Sequence, residues 1–322
     1  MDTQLSSANT LPKDLTYNFA ASAWWGRRPG AACFAARMSG LYRSDDEGAT
    51  WRLLYESLQL NEPLSTMAVA ISPDFEQQPH LFAGLGGGIL RSLDGGQHWE
   101  NVHFPPPPAV VTCLVTSPNY TQDGLLFAGT LEDGLFFSTD CGLHWQAGSF
   151  GLLDLKLFCL AVSPNFAHDQ TLFAGTHSGL FRSANGGRSW REVSLPPGYD
   201  AVFSLALSPH FAQDGVLFAG TETQGLLRSE DGGRSWARLG ENILTDAINT
   251  VLLSPQFPRQ PDILALHGGT LLLSHDAGLF WQPWREAALA EKRVTTVLAP
   301  LGFDPGAPSL VGLLDGDILN IR

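Results

Sequence analysis

The feature that most constrains this chain is a unit that recurs every 45 to 48 residues. One copy occupies residues 157–193: LFCLAVSPNFAHDQTLFAGTHSGLFRSANGGRSWREV. It holds an apolar run, an SPNF corner, a second run ending FAGT, a short turn, GLFRS, and a tight NGG turn into Ser-Trp. Alternation with period two marks strands that have two different faces, so the copy reads as four short antiparallel strands. A sheet this small cannot bury both faces alone. It has to be flanked by further copies of itself.

Aligned on the second run, the units fall at residues 33–44, 81–92, 126–138, 172–183, 217–229, 263–274 and 310–321. Seven units of four strands predict an all-β fold, a single seven-bladed β-propeller of four-stranded antiparallel blades. The blades are expected at about 16–55, 64–103, 110–148, 156–194, 201–239, 247–284 and 293–322, forming one domain over 1–322. Helix should be scarce, the best candidate being the Ala-rich stretch 286–292.

Six units continue into one shared turn: SDDEGATW, SLDGGQHW, STDCGLHW, SANGGRSW, SEDGGRSW and SHDAGLFW, beginning at Ser44, Ser92, Ser138, Ser183, Ser229 and Ser274. The Asp or Asn oxygen can accept backbone N–H groups of its own turn. The Gly supplies a positive φ. The Trp is expected to fold back between strands and bury a large aromatic surface. Asn185 keeps the acceptor oxygen where the other copies have Asp, and a reacting carboxylate is not needed six times around a ring, so the turn is structural. The pattern resembles the S-x-D-x-G-x-T-W signature of the Asp-box, or bacterial neuraminidase repeat, propellers over nearly the whole chain. In style it is closest to their non-catalytic members, the sortilin-like receptors and photosystem II assembly factors. That resemblance implies a protein or peptide held on a propeller face. The sialidases and xyloglucan-cleaving enzymes of the same kind imply glycoside hydrolysis instead.

Two blades depart from the pattern. Where other units have SPDF, SPNY, SPNF, SPHF or SPQF, blade one has ASAWWGRRPGA, placing Trp24, Trp25, Arg27 and Arg28 in its corner. An aromatic plug of the corner is the expectation. Blade seven ends at Arg322 after its third run. Its fourth strand is expected from the N-terminal segment 1–14, which would close the ring and remove a free edge.

With 32 acidic against 19 basic residues the net charge is -13. Such a chain repels phosphate backbones and anionic bilayers, which disfavours nucleic acid and membrane surfaces as partners. It contains no run of 18 apolar residues long enough for a membrane span. The start, MDTQLSSANTLPKDLTYN, lacks the basic and apolar regions of a secretory signal. Of the four cysteines, Cys113 and Cys159 hold the same place in neighbouring repeats. They are expected as small core residues with free thiols, which fits a reducing, cytoplasmic location. No cofactor is expected.

Strand order gathers the corners and the shared turns on one face. The second-to-third turns and the inter-blade linkers gather on the other, around the channel mouth, where loops of many blades converge. The turns there carry Arg37, Glu132 with Asp133, His177, Glu222, His267, and Asp315 with Asp317. The linkers add Lys156, Tyr199 with Asp200, Asp246, Glu291 and Arg293. This acidic binding face is expected to expose Phe104, Phe150, Leu152, Leu153, Leu155 and Leu244, with a stiff proline run at 105–108 along one edge.

Three functions compete for it. A glycoside hydrolase or lyase would use paired carboxylates, Asp200 with Asp246 or Glu291, and Tyr199 is the one mouth tyrosine. The sialidase resemblance asks for three arginines, and the mouth offers Arg37 and Arg293. A metal-dependent enzyme would draw on His177, His267, Glu222 and Asp315, which come from different blades without a ligand motif; no metal site is assigned. A non-catalytic scaffold needs no reaction motif, and none is present. Its acidic and partly apolar face suits a basic or amphipathic protein or peptide segment, charge guiding encounter and apolar area supplying affinity. Carbohydrate is the other ligand class considered.

Overall fold

Each repeat folds as an antiparallel meander. In blade four, strands Leu157–Val162, Leu172–Thr176, Leu180–Ser183 and Arg191–Val193 pair in chain order. A computed structural model describes residues 14–196 and 200–322. Among those residues there are six four-stranded sheets and a seventh, of three strands, at Val294–Leu298, Ser309–Leu313 and Ile318–Ile321. Together they form a seven-bladed β-propeller whose first strands pack side by side around a central channel, blade seven meeting blade one. The closing strand expected from residues 1–14 lies outside the described residues except for Asp14, whose backbone abuts Gly316 of blade seven.

The core lies between blades rather than within them, and one repeated contact explains two conserved-looking words of the repeat. In the first five blades the Phe of the second run meets the aromatic of the next blade's corner edge-on: Phe34 with Phe75, Phe82 with Tyr120, Phe127 with Phe166, Phe173 with Phe211, and Phe218 with Phe257, at 5.2 to 6.1 Å. Edge-to-face geometry sets a ring's positive rim on its neighbour's negative face. At the seam the sizes are exchanged. Blade seven has Leu310 in place of the Phe, and the fully buried Trp25 of blade one packs in the same cluster. Trp25 is thus the expected corner plug, while Trp24 is partly exposed with the Arg28 guanidinium 3.9 Å above its ring.

The shared turn is self-contained. In all six copies the Ser hydroxyl accepts the Gly N–H at 2.8 or 2.9 Å. The Asp or Asn Oδ1 accepts the N–H four residues on, at 2.8 to 3.0 Å. Glycine is required twice over at Gly142, where φ is 82° and a Cβ would stand 2.5 Å from the Phe82 ring of the preceding blade. The Trp fills space between blades, not between strands of its own sheet. Trp190 is buried among Phe127 and Leu135 of blade three and Phe166 and Phe181 of blade four. Trp145 is also buried, whereas the other four are half-buried.

Among the described residues helix is confined to single turns. Three follow the corners, at Tyr120–Asp123, Phe166–Asp169 and Phe211–Asp214. The helix expected over 286–292 spans only Glu286–Leu289, because the chain turns extended at Ala290 and left-handed at Glu291, with φ 60°.

Candidate functional site

All seven first strands share one irregularity. Pairing with the second strand skips a residue between positions one and three, leaving Tyr17, Met67, Thr112, Phe158, Phe203, Asn249 and Thr295 bulged. A bulge carries an unpaired residue and re-aims its side chain. Each is the second residue of its first strand, at the linker-side mouth, and six of the seven line a cavity of about 430 Å³ in the channel. The lip is lopsided. Tyr17, Met67, Phe158 and Phe203 are apolar or aromatic, and Phe158 and Phe203 meet edge-on at 5.2 Å. Two of the polar members already have partners in the next blade: Thr112 Oγ1 donates to the Leu157 carbonyl at 2.7 Å and Thr295 Oγ1 to that of Thr16 at 3.2 Å. Asn249 is exposed and its side-chain amide has no hydrogen-bond partner among the described residues.

Below the lip the wall mixes small residues, Ala68, Cys113, Cys159, Ser204 and Thr250 among them, with aliphatic ones such as Leu114, Leu160, Leu205 and Leu252. The channel lining contains no carboxylate, guanidinium, ammonium or imidazole among the described residues. Cys113 and Cys159 therefore border the channel while packing on the inter-blade core clusters, as the small core residues expected. Loss of hydration pushes the Cys113 thiol up to about 12 and Cys159 well upward as well, the neighbouring Cys113 adding to the latter. Both are free thiols that stay protonated and poorly nucleophilic.

The residues expected at the mouth are scattered, and some are committed to bonds within the fold. Arg37 is a seam residue: it donates to the carbonyls of Asp14, at 2.9 Å, and Gly316, and pairs with the Asp14 carboxylate at 3.2 Å. Asp200 is buried rather than displayed. Its carboxylate accepts the N–H of Thr223 at 3.0 Å and of Gln224 at 2.8 Å, holding the second-to-third turn of its blade. Asp14 holds the corresponding turn of blade one through the N–H and hydroxyl of Ser39, both at 2.8 Å. Asp246 keeps its own Ala247 N–H at 2.8 Å, and its backbone N–H donates to His267 Nε2 at 2.9 Å. His177 instead is exposed and stands edge-on to Phe158, 6.5 Å between centroids.

Neither expected carboxylate pair, Asp200 with Asp246 or Asp200 with Glu291, shares a cavity among the described residues. Glu291 lines a separate cavity of about 360 Å³ in the last linker, with Glu286, Lys292 and Arg293 around a floor that includes Leu271 and Trp284. Tyr199 lies outside the described residues. Glu132, Lys156, Glu222, Asp315 and Asp317 are exposed and Asp133 is half-buried. No three His, Cys, Asp or Glu side chains converge as metal ligands among the described residues. Of the apolar residues expected outside, Phe150 and Leu153 are 80% and 79% exposed and Leu155 41%. Leu152 and Leu244 are buried, and Phe104 tucks against Phe136 at 4.6 Å.

Reasoning from sequence missed the bulged lip. It shows only in the folded strands: in Leu157–Val162 and Val111–Thr116 the fully buried residues fall three apart, at positions one and four, instead of two.

No family model and no curated protein matches the chain in sequence. Among solved structures it is similar in fold to an extracellular domain, that of BT4673 from B. thetaiotaomicron, at TM-score 0.72 and 16% identity, over 97% of this chain and 39% of that one. It spans about two fifths of the length of those first structures. It is also similar to YCF48 bound to D1 peptide, at TM-score 0.69 and 18% identity, over 97% of this chain and 94% of that one. The GH74 xyloglucanase of Xanthomonas campestris matches at TM-score 0.69 and 16% identity, over 95% of this chain and 52% of the enzyme. At such identities the likeness is one of fold.

Proposed function

We propose that this chain is an Asp-box propeller acting as a non-catalytic binding module, which holds a basic or amphipathic protein segment on its channel-mouth face in a reducing, cytoplasmic compartment. One observation carries the reading: the mouth has an apolar lip and an acidic rim, yet among the described residues the channel behind it offers no charged group to act as acid, base or nucleophile. Hydrolysis of a glycoside needs two carboxyl groups facing each other across the scissile bond. Asp200, the best placed of the expected carboxylates, spends its lone pairs on backbone N–H groups. An apolar lip inside an acidic rim is the division of labour of a peptide site, with charge steering the approach and burial retaining the partner. The similarity in fold to YCF48 bound to D1 peptide supports a peptide ligand, and the four free thiols support the compartment.

Peptide-array binding, run beside a glycan-turnover panel, tests this. Peptides combining Lys or Arg with apolar residues should bind, and the exposed-rim variant Glu222→Lys/Asp246→Lys should weaken them at least tenfold. Glycan turnover with no peptide binding would overturn the proposal.

A further inference from the structure

We infer that the seven bulged residues select the bound segment's central residue: one apolar side chain enters the channel against Phe158 and Phe203, while Asn249 hydrogen-bonds the adjoining peptide group. This rests on the peptide-binding reading and adds to it which chemistry the mouth accepts.

The bulge recurs in every blade, so the fold sets the position and the sequence is free to vary the chemistry there. Seven residues then decide what passes the lip. Thr112 and Thr295 are spoken for by carbonyls of the next blade. What remains for a ligand is an aromatic wall in neighbouring blades four and five, and next to it, in blade six, the unpartnered amide of Asn249. An amide offers both a donor and an acceptor, the complement of one peptide group. An edge-to-face Phe pair offers a broad apolar surface with no hydrogen-bonding demand of its own.

The cavity beneath completes the selection. At about 430 Å³, walled by small and aliphatic side chains, it has room for the side chain that the lip admits. Among the described residues its lining holds no charged group, so a Lys, Arg, Asp or Glu entering it would lose hydration without compensation. Basic residues are therefore favoured beside the inserted side chain, near Glu222, Asp246 and Glu132 on the rim, and disfavoured in it. The partner segment is thus one Leu-, Met- or Phe-sized residue flanked by Lys or Arg.

Two probes test the inference. The first is the peptide Arg-Lys-X-Lys-Arg, capped at both ends and fluorescently labelled, with X as Phe, Leu, Ser or Glu. The second is toluene, followed by ligand-observed NMR. Phe and Leu peptides should bind at least tenfold more tightly than the Ser peptide, and Glu least of all. Phe203→Ser should remove the toluene signal and erase the preference for X, while Phe203→Leu, which keeps an apolar wall, should retain most of both. Asn249→Ala should weaken the Phe peptide but leave toluene untouched. Equal binding whatever X is would sink the inference and leave the peptide-binding reading standing. Toluene binding sensitive to Phe203→Ser, with no peptide bound at all, would sink the reading and leave the apolar socket. Toluene that binds wild type and Phe203→Ser alike, or neither, overturns the socket.

Discussion

Truncating Trp190 to Ala measures how much of the molecule's stability resides between blades. The indole is 3% exposed, packs on residues of blades three and four, and donates its N–H to the Gly148 carbonyl at 2.8 Å. A buried Trp removes on the order of 200 Å² from water. Allowing for the part an Ala still covers, ~25 cal/mol/Å² gives a transfer loss of about 4 kcal/mol, inside the range of about 3–5 kcal/mol for emptying an aromatic site. The stranded Gly148 carbonyl, itself buried, adds about 1 kcal/mol. Trp51 is the internal control. It occupies the same place in blade one, but is half-buried, and its indole N–H has no hydrogen-bond partner among the described residues. Trp51→Ala should cost clearly less. Urea unfolding followed by far-UV circular dichroism suits both variants, since the signal does not depend on the lost fluorophore, and a split transition would reveal blades separating independently. A loss below about 1 kcal/mol for Trp190→Ala, or equal losses for the two variants, would refute the assignment of the turn tryptophan to inter-blade packing.

Two further outcomes follow from the seam and the shared turn. Arg37→Ala should lower amide-exchange protection in Thr16–Ala21 and Ser309–Leu313 and cost about 1.5–3 kcal/mol, the worth of hydrogen bonds to charged groups; Arg37→Lys should recover less than half, because a point charge cannot fork between Asp14 and the Gly316 carbonyl, and unchanged protection would show that the seam does not depend on this side chain. The Thr50 hydroxyl, followed by the Thr50 N–H and the Ser44 hydroxyl, holds the Asp46 carboxyl at about 2. A folded value below the unfolded one of about 4 means that the stabilisation is full above pH ~4 and is lost as pH falls toward 2. Asp46→Asn, which copies the natural arrangement at Asn185, should flatten the stability-versus-pH curve in that window, and an unaltered slope would contradict this account.

What could be read from the sequence was whatever is local or repeated. The S-x-D-x-G turn closes through hydrogen bonds that span at most four residues, so residue types at fixed spacing suffice to recognise it, and Asn185 could be placed by its acceptor oxygen alone. Blade number followed from counting copies, because a small sheet with two apolar faces leaves no alternative to stacking on its neighbours. Even the Trp25 plug was legible as an aromatic out of register, although its counterpart Leu310 was not. Wherever a residue's role depended on a partner far along the chain, residue type misled. Arg37 was expected as a ligand group and joins the ring ends across 279 residues. Asp200 was expected as a displayed carboxylate and holds a turn 23 residues away.

The chain's own pattern, then, determined a propeller of seven blades and the structural duty of its loudest motif, since short-range hydrogen bonds and nearest-neighbour packing are written into each copy. The channel lip was decided only by the tertiary structure. A first strand must pair with its own second strand while lying beside the first strands of two other blades, and it meets both demands by bulging one residue. No single copy contains those neighbours. The bulged Tyr17, Met67, Phe158, Phe203 and Asn249 become one surface only when the ring closes.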